Sequence, residues 1–463
     1  NPQNEISLAG FFAHNQFNDS ILNIRSTRRR LDSLILQNRG GSLRWNHNWG
    51  NGWSTTMKGI FTDFSYDYNF DISVDRINIP EEVGLKSNAI AQGQLHLIQS
   101  YTKPDHYKLE AGYQATQYNV NYKIDRERND VKRADEDLRL RSALHSFFAE
   151  FKSAPQQKLG IQVGLRAEYY EQTQQWYGQP RLHAWYNFHP SWRLHGQAGQ
   201  YNQYISQLIE FNGDHLGIEI PIWVLANAER IPVLTSQQYQ VGILWNPDSW
   251  VLDVQMYHRK LNGLTSLATG FDGIEQGDYK LGAGQVWGVD FLIKKKWKYF
   301  KTWLSYTLSQ VVYEFPEFLD PSFAADHDQR HALYWVNQFD WGRWETTLGW
   351  SYYAGLPFAT FDSFTIEKRP MVPDIVSPIY DSYNARRLPS QHNLNFSMAY
   401  QLSPSEATWK GVLGISLYNI YQNENLYDRE SWVELRQGNP PVIRTNNKIN
   451  LRFTPNAVIR FEW

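Results

Sequence analysis

The 463-residue sequence contains no cysteine, which fits an oxidising envelope compartment where stray thiols are a liability. It has no excess of either charge. Lys and Arg number 45 against 47 Asp and Glu, a formal net charge of -2, so nothing pulls it as a whole toward nucleic acid or an anionic surface. No run of about 18 apolar residues is present to cross a bilayer as a helix, and the mean hydropathy of -0.56 is too polar for a helical membrane protein. A soluble chain of this length would usually divide into domains, yet no Pro/Gly/Ser-rich linker or low-complexity tract marks a boundary, so 1–463 reads as one domain. Nucleophile elbow, phosphate loop, zinc signature and dinucleotide fingerprint are all missing; no enzyme activity and no cofactor are expected. Asn1 to Phe12 has no basic segment followed by an apolar core, as expected of a mature or truncated form rather than one opening on a signal peptide.

Aromatic residues are abundant, with 19 Trp and 28 Tyr, and the dominant pattern is period-2 alternation. Leu159, Ile161, Val163 and Leu165 alternate with Gly160, Gln162, Gly164 and Arg166; Trp250, Leu252, Val254 and Met256 alternate with Asp253, Gln255 and Tyr257; Leu394, Phe396, Met398 and Tyr400 alternate with Asn393, Asn395 and Ser397. Successive strand side chains point to opposite faces, so one face is apolar and the other wet. Short polar turns, such as Gly50-Asn51-Gly52, Lys103-Pro104-Asp105, His189-Pro190-Ser191 and Asn246-Pro247-Asp248, alternate with long loops at about 17–39, 69–86, 124–138, 205–235, 265–281, 357–390 and 424–445. That alternation and a polar average with heavy Trp and Tyr use suit an all-β, transmembrane antiparallel up-and-down β-barrel, with short periplasmic turns and long extracellular loops. Trp53, Trp192, Trp250, Trp344 and Trp409 each follow a short turn, as a periplasmic aromatic girdle would. A soluble sandwich or propeller is disfavoured by strands of about 10–15 residues and by the lack of a blade repeat. The count is about 18 strands, from Ile6–Ala13 to about Lys448–Trp463. Ile459, Phe461 and Trp463 close the chain on an alternating apolar row with a terminal aromatic. This resembles the signal by which outer-membrane proteins are handed to their insertion machinery.

Several segments, in order, resemble the barrel of TonB-dependent outer-membrane receptors. Leu144-His145-Ser146-Phe147-Phe148-Ala149-Glu150-Phe151 precedes Val163-Gly164-Leu165-Arg166-Ala167-Glu168-Tyr169. Pro180-Arg181 and Gly199-Gln200-Tyr201-Asn202-Gln203-Tyr204 follow. Then come Trp303 to Ser309, Asp326-His327-Asp328-Gln329-Arg330-His331, Gly355-Leu356-Pro357, Arg387-Leu388-Pro389 and Tyr418-Asn419-Ile420. The resemblance covers about residues 140–463. It implies a barrel of about 22 strands around a plugged lumen, of which about 18 are visible here, and active uptake of a small solute. The partners it implies are a plug domain and a TonB-type energising protein. Neither a plug nor an energy-coupling box is recognisable in the chain, so both are expected to be cleaved or carried elsewhere. A passive porin-like pore and a structural part of an outer-membrane protein complex are the alternatives. The surroundings would be outer-membrane lipid and lipopolysaccharide.

Ligand contact is expected from residues at the outer loops: Trp176 and Tyr177; Tyr201 and Tyr204 leading into the loop at 205–235; Glu210, Asp214, His215 and Trp223 within it; and Asp278 and Tyr279. Aromatic and polar groups at a pore mouth suit an amphipathic solute. The apolar residues of the 205–235 loop, Leu208, Ile209, Ile218, Ile220, Ile222, Val224 and Leu225, favour instead a loop packed on itself. Arg28-Arg29-Arg30 reads as a solvated loop or an anion contact. Asp326, His327, Asp328 and His331 have the chemistry of a divalent-metal set. A polar rim with Arg330 pairing the carboxylates is the expected reading, and no metal site is assigned. Arg166, Glu168, Asp253, Arg259, Asp290 and Lys294 are expected as ion-paired ladders on the lumen wall, where the resemblance also has them face the plug.

Overall fold

A computed structural model gives the fold. It describes every residue except 1–2, 24–27, 75–78, 129–130, 211–221, 268–278, 319, 368–374, 381–382, 405–407, 437–438 and 463. Among the described residues all regular structure is strand. Twenty strands join one sheet. Two are short pieces, Ile209–Glu210 and Ser322–Ala324. The other eighteen are β1 (Asn4–Asn23), β2 (Arg28–Gly50), β3 (Trp53–Val74), β4 (Ile79–Lys103), β5 (Tyr107–Arg128), β6 (Val131–Ser153), β7 (Leu159–Tyr170), β8 (Gln175–His189), β9 (Trp192–Gln203), β10 (Leu234–Trp245), β11 (Trp250–Leu267), β12 (Tyr279–Lys296), β13 (Phe300–Glu314), β14 (His331–Trp341), β15 (Trp344–Tyr353), β16 (Gln391–Gln401), β17 (Lys410–Tyr418) and β18 (Thr454–Glu462). Pairing runs antiparallel from each strand to the next over β1 to β7. It does so again over β12 to β18. This is the up-and-down order, and the strand number matches the sequence reading.

Contacts divide the chain into two compact units. One is Asn1–Ala184, Ala198–Gln237 and Leu261–Gly282; the other is Trp185–Gln197, Gln238–Lys260 and Ala283–Trp463.

In the first unit the strands are longer than the alternation suggested. The loops expected at about 17–39, 69–86 and 124–138 are mostly strand, because β1 to β6 run for 20 to 25 residues. On β3 and β5 the reason is an inversion of polarity partway along the strand. On β5, Leu109 is exposed on one face, while Lys108, Glu110, Gln114 and Thr116 occupy the other. Past Thr116 the first face carries Gln117, Asn119, Asn121, Lys123 and Asp125, and the second buries Tyr118, Val120, Tyr122 and Ile124. β3 does the same: Met57 and Phe61 are exposed, then Asp63, Ser65, Asp67 and Asn69 follow on that face, with Phe64, Tyr66, Tyr68 and Phe70 opposite. The period stays at 2 while its phase reverses, so a search for one continuous apolar row stops at the reversal. The exposed apolar stretch is the part suited to lipid; the rest stands in water and packs a core behind it. Each large side chain buried there contributes roughly 1.5–3 kcal/mol. Arg39 and Asp63, register partners on β2 and β3, form an ion pair of 2.6 Å just beyond Phe61, the last exposed apolar residue of β3.

At the short-turn ends aromatic rings lie in file. In the first unit Trp53, Tyr101, Tyr107 and Phe151 follow one another at 4.9, 6.1 and 5.9 Å between centroids. In the second, Phe188, Trp192, Trp245 and Trp250 are spaced 6.0, 5.8 and 6.5 Å apart. The turn between β2 and β3 needs its glycines: Asn51 and Gly52 have positive φ, and a Cβ on Gly52 would sit 2.2 Å from the Thr102 carbonyl oxygen.

Two of the expected long loops contain hairpins, Phe361–Glu367 with Ile375–Tyr380 and Leu426–Arg436 with Asn439–Ile449. The second takes Lys448 and Ile449, so the final strand begins only at Thr454.

Candidate functional site

Within the first unit, the face opposite the exposed apolar band carries a network centred on Glu168 of β7, which is 3% exposed. One carboxylate oxygen accepts from Ser146 Oγ at 3.0 Å and from Arg166 Nε at 2.6 Å. The other accepts from the Tyr204 hydroxyl at 2.6 Å and from Gln179 Nε2. Four donors, one of them a cation, hold the buried charge, as such a group requires. The network continues outward. Arg166 Nη2 donates to Gln114 Oε1 at 2.8 Å, Arg181 Nη2 to Gln179 Oε1 at 2.7 Å, and the Arg181 guanidinium lies 4.8 Å from the Tyr201 ring centroid. A cavity of about 190 Å³ opens on Arg166, Arg181, Gln179, Phe148, Glu110 and Glu150.

Above the network the chain after β9 folds back onto this same face. Ile205–Gln207 pairs with Trp223–Leu225. Leu208, Ile222, Val224 and Ile231 pack with Tyr122 and Ile124, while Leu225 and Ala226 pack with Tyr118, Val120, Leu144 and Tyr170. The apolar half of this loop therefore covers the strand wall as well as itself. Three polar contacts pin it. Asn88 of β4 makes a two-way bond with the Trp223 backbone, Tyr170 donates to the Ala226 carbonyl at 2.9 Å, and Tyr204 reaches Glu168. Burial, and then its bond to Glu168, push the Tyr204 phenol far above its ordinary pKa.

Of the residues singled out from sequence, Tyr177, Tyr201 and Tyr204 come together here; Tyr204 packs on Tyr170 at 4.7 Å and on Tyr177 at 5.6 Å. Tyr279 is half-buried against the cluster around Tyr122. Trp223 is held through its backbone. Trp176 lies elsewhere: it is 62% exposed beside Phe147 and Tyr169, rings on the exposed apolar face. The Ile209–Glu210 backbone pairs in parallel with Ser266–Leu267. The Glu210 side chain, Asp214, His215, Asp278 and Trp463 lie outside the described residues. Ile459 and Phe461 are exposed on β18. Arg28-Arg29-Arg30 opens β2 rather than lying in a loop.

Sequence reasoning found neither Gln179 nor Asn88, and it met Arg181 only as the opening of a strand. It also missed a cavity of about 450 Å³ lined by Asn18, Asp19, Asp32, Asn69 and Asp71 at the far ends of β1 to β3. The register signal exists, since Asp19 and Asp32 are direct cross-strand partners. Like charges so placed are unfavourable unless the site needs them.

In the second unit Asp328 is fully buried and accepts from Val311 N at 2.7 Å, from Arg330 at 3.5 Å and from Arg387 Nη2. Arg387 Nη1 also donates to the Asp328 and Gly355 carbonyls. Asp326 accepts from Asn384, and His331 bonds the Tyr306 hydroxyl. Three of the four side chains considered for a metal, Asp326, Asp328 and His331, thus have separate hydrogen-bond partners, His327 lies edge-on to the Tyr313 ring at 6.0 Å, and the described residues hold no group of metal-ligand geometry. Asp328 and Arg387 form a clasp between two loops.

The family described as "TonB dependent receptor-like, beta-barrel" matches residues 2–420. The chain belongs to this family. Its members are outer-membrane β-barrels, and the solved structures agree on the fold. BauA, the ferric preacinetobactin receptor from Acinetobacter baumannii, aligns with a TM-score of 0.62 at 10% identity, over 99% of this chain and 70% of its own. The ferric citrate transporter FecA in its unliganded form gives 0.56 at 10% identity, over 98% and 70%. The RagAB peptide transporter gives 0.53 at 10% identity, over 85% and 59%. No curated protein matches the chain. With the receptor fold assigned, the exposed apolar band is the lipid face and the Glu168 face is the lumen wall.

Proposed function

We propose that this chain is the barrel of an outer-membrane uptake receptor, formed by residues 1–463 as one domain. It binds a scarce solute on the extracellular side and passes it inward with energy from an inner-membrane partner of the TonB type. The observation that carries this reading is the wall around Glu168. An arginine-bearing, aromatic-flanked network faces the lumen beneath a loop folded onto the same face, an arrangement suited to selective contact. A plug domain supplied with the receptor would meet the same wall. Nothing in the network is arranged for covalent chemistry.

Arg181, Tyr201 and Tyr177 are the side chains proposed to meet the solute, beside the cavity at Arg166. Trp223, Tyr279, Glu210, Asp214, His215 and Asp278 complete the proposed mouth. Trp176, on the lipid face, is proposed instead as an interface anchor among outer-leaflet lipid and lipopolysaccharide. Ile459, Phe461 and Trp463 are proposed as the assembly signal. Structures of like fold include receptors and transporters of ferric chelates and peptides, so such solutes are the first classes to test.

The test is depletion of solutes from spent medium, read by untargeted mass spectrometry. Cells carrying the intact receptor are compared with cells lacking it, each with the energising partner present or deleted. The expected result is a solute consumed only when both are present. Consumption that continues without the partner would sink the active-uptake reading in favour of a passive pore.

A further inference from the structure

The turn joining β12 to β13 carries Lys294-Lys295-Lys296-Trp297-Lys298-Tyr299-Phe300-Lys301, five lysines in eight residues of a chain with net charge -2. The concentration is local to one short turn and lies wholly in the second unit. Its acidic neighbours are few. Asp340 is taken up by Lys301 at 2.8 Å, and exposed Asp248 lies in the adjoining turn.

The lysines do not all face one way. Trp287, Phe291 and Ile293 are 41%, 40% and 39% exposed on the lipid face of β12, and the same row continues to Lys295 and Trp297. Lys294 and Lys296 alternate onto the opposite face. One step along such a row is about 7 Å, so the Lys295 ammonium sits just past the end of the apolar band. There it lies 4.5 Å from the Trp250 ring centroid and 5.5 Å from that of Trp297, and donates to Ser249 Oγ at 2.7 Å. Lys298 Nζ lies 4.9 Å from the exposed Tyr299 ring. An ammonium has three protons to donate, and Ser249 takes one of them.

We propose that Lys295 and Lys298, flanked by Trp250, Trp297 and Tyr299, bind the phosphate of an anionic phospholipid in the periplasmic leaflet. The inference rests on the outer-membrane reading given above, which sets short turns at the periplasmic rim. Phosphate is favoured by the charge, and a lipid source by the position. The cations end a lipid-facing row, and the indole faces beside them match the depth at which Trp and Tyr sit among headgroups. Exposed Ile293, and Leu304, its register partner on β13, continue the surface along which an acyl chain would lie.

The experiment uses the whole chain refolded into vesicles of phosphatidylcholine with phosphatidylglycerol, followed by detergent extraction and native mass spectrometry of retained lipid. The unaltered protein is expected to retain phosphatidylglycerol over phosphatidylcholine. The double variant Lys295→Gln/Lys298→Gln should lose roughly 30-fold in that preference, taking each lysine at about 1 kcal/mol near an anionic surface. Lys295→Arg/Lys298→Arg should restore it. Equal retention by the unaltered protein and the glutamine variant would overturn the site, as would displacement of the lipid by millimolar inorganic phosphate. Flotation of each protein with its vesicles is scored alongside. Failure of the unaltered chain to float overturns the membrane reading itself, whereas flotation with equal retention overturns the site alone.

Discussion

Asn88 and Trp223, 135 positions apart in sequence, are joined as one strand is joined to another: Asn88 Oδ1 accepts from Trp223 N at 2.9 Å and Asn88 Nδ2 donates to Trp223 O at 3.1 Å. A buried side-chain amide here takes the place of a backbone partner. Its removal leaves both Trp223 backbone groups without their bonds, at about 1–3 kcal/mol for each buried group so abandoned. Asn88→Leu is therefore expected to release the loop while leaving the strands intact. Limited proteolysis should cut within 204–226 several-fold faster, with the melting temperature of the sheet nearly unchanged. An unaltered cleavage rate would show that apolar packing alone holds the loop.

Tyr204 gives a prediction in pH. Its pKa is raised by burial and by its bond to Glu168, so the folded protein favours the neutral phenol. For a group shifted upward, the stabilisation is complete below the unfolded value, about 10 for tyrosine, and is lost as pH rises above it. The stability difference between the unaltered protein and Tyr204→Phe should be constant from neutral pH to about pH 10 and shrink above that. Chemical denaturation at a series of pH values reads it, and a difference that grows with alkalinity would contradict the placement of the hydroxyl on the carboxylate. Glu168→Gln should cost about 3 kcal/mol at neutral pH by leaving Arg166 without its counter-charge.

The reversal of polarity along β3 and β5 predicts that one substitution has two outcomes on one face. Leu165 is 58% exposed within the apolar band. Leu165→Arg should cost about 2–4 kcal/mol in a bilayer. Asn121→Arg, on the outward face of β5 beyond the reversal, should cost close to nothing. Folding into vesicles measured by urea titration separates the two. Similar losses at both sites would place the lipid boundary elsewhere.

The clasp between Asp328 and Arg387 is expected to behave as a buried pair broken from one side. Asp328→Ala should destabilise by about 3–5 kcal/mol, and chelators or added zinc should change nothing in either protein. Gly355 is the steric half of the same contact, since a Cβ there would fall 1.6 Å from the Leu388 carbonyl oxygen. Gly355→Ala should displace the loop that bears Arg387. Thermal melts of both single variants and the double should show less than additive losses, because either change alone opens the clasp.

The sheet was legible in the sequence wherever one face met lipid. The row Leu159 to Leu165 and the tryptophans opening β3, β9, β11 and β15 made strand number and up-and-down order legible, because a single polarity runs along a whole face. The outer halves of β1 to β6 were not legible. Water on one side and a packed loop on the other reverse the pattern between Thr116 and Tyr118 without changing its period. The family motifs brought Arg166, Glu168 and Arg181 into view, but only the fold shows that Gln179 joins them. Glu168 and Tyr204 are 36 positions apart, and a single hydrogen bond between such positions leaves no mark on composition or spacing.

The reversed stretch of β5 separates two jobs that most surface strands must combine. From Gln117 to Ile124 the chain extends roughly 23 Å at about 3.3 Å per residue. Along it, each outward polar residue alternates with a buried one. Substitutions at Asn119, Asn121 and Lys123 therefore leave the buried row undisturbed. Tyr118, Val120 and Tyr122 keep the loop seated behind them. Variation on one side of the strand is thereby uncoupled from the packing on the other.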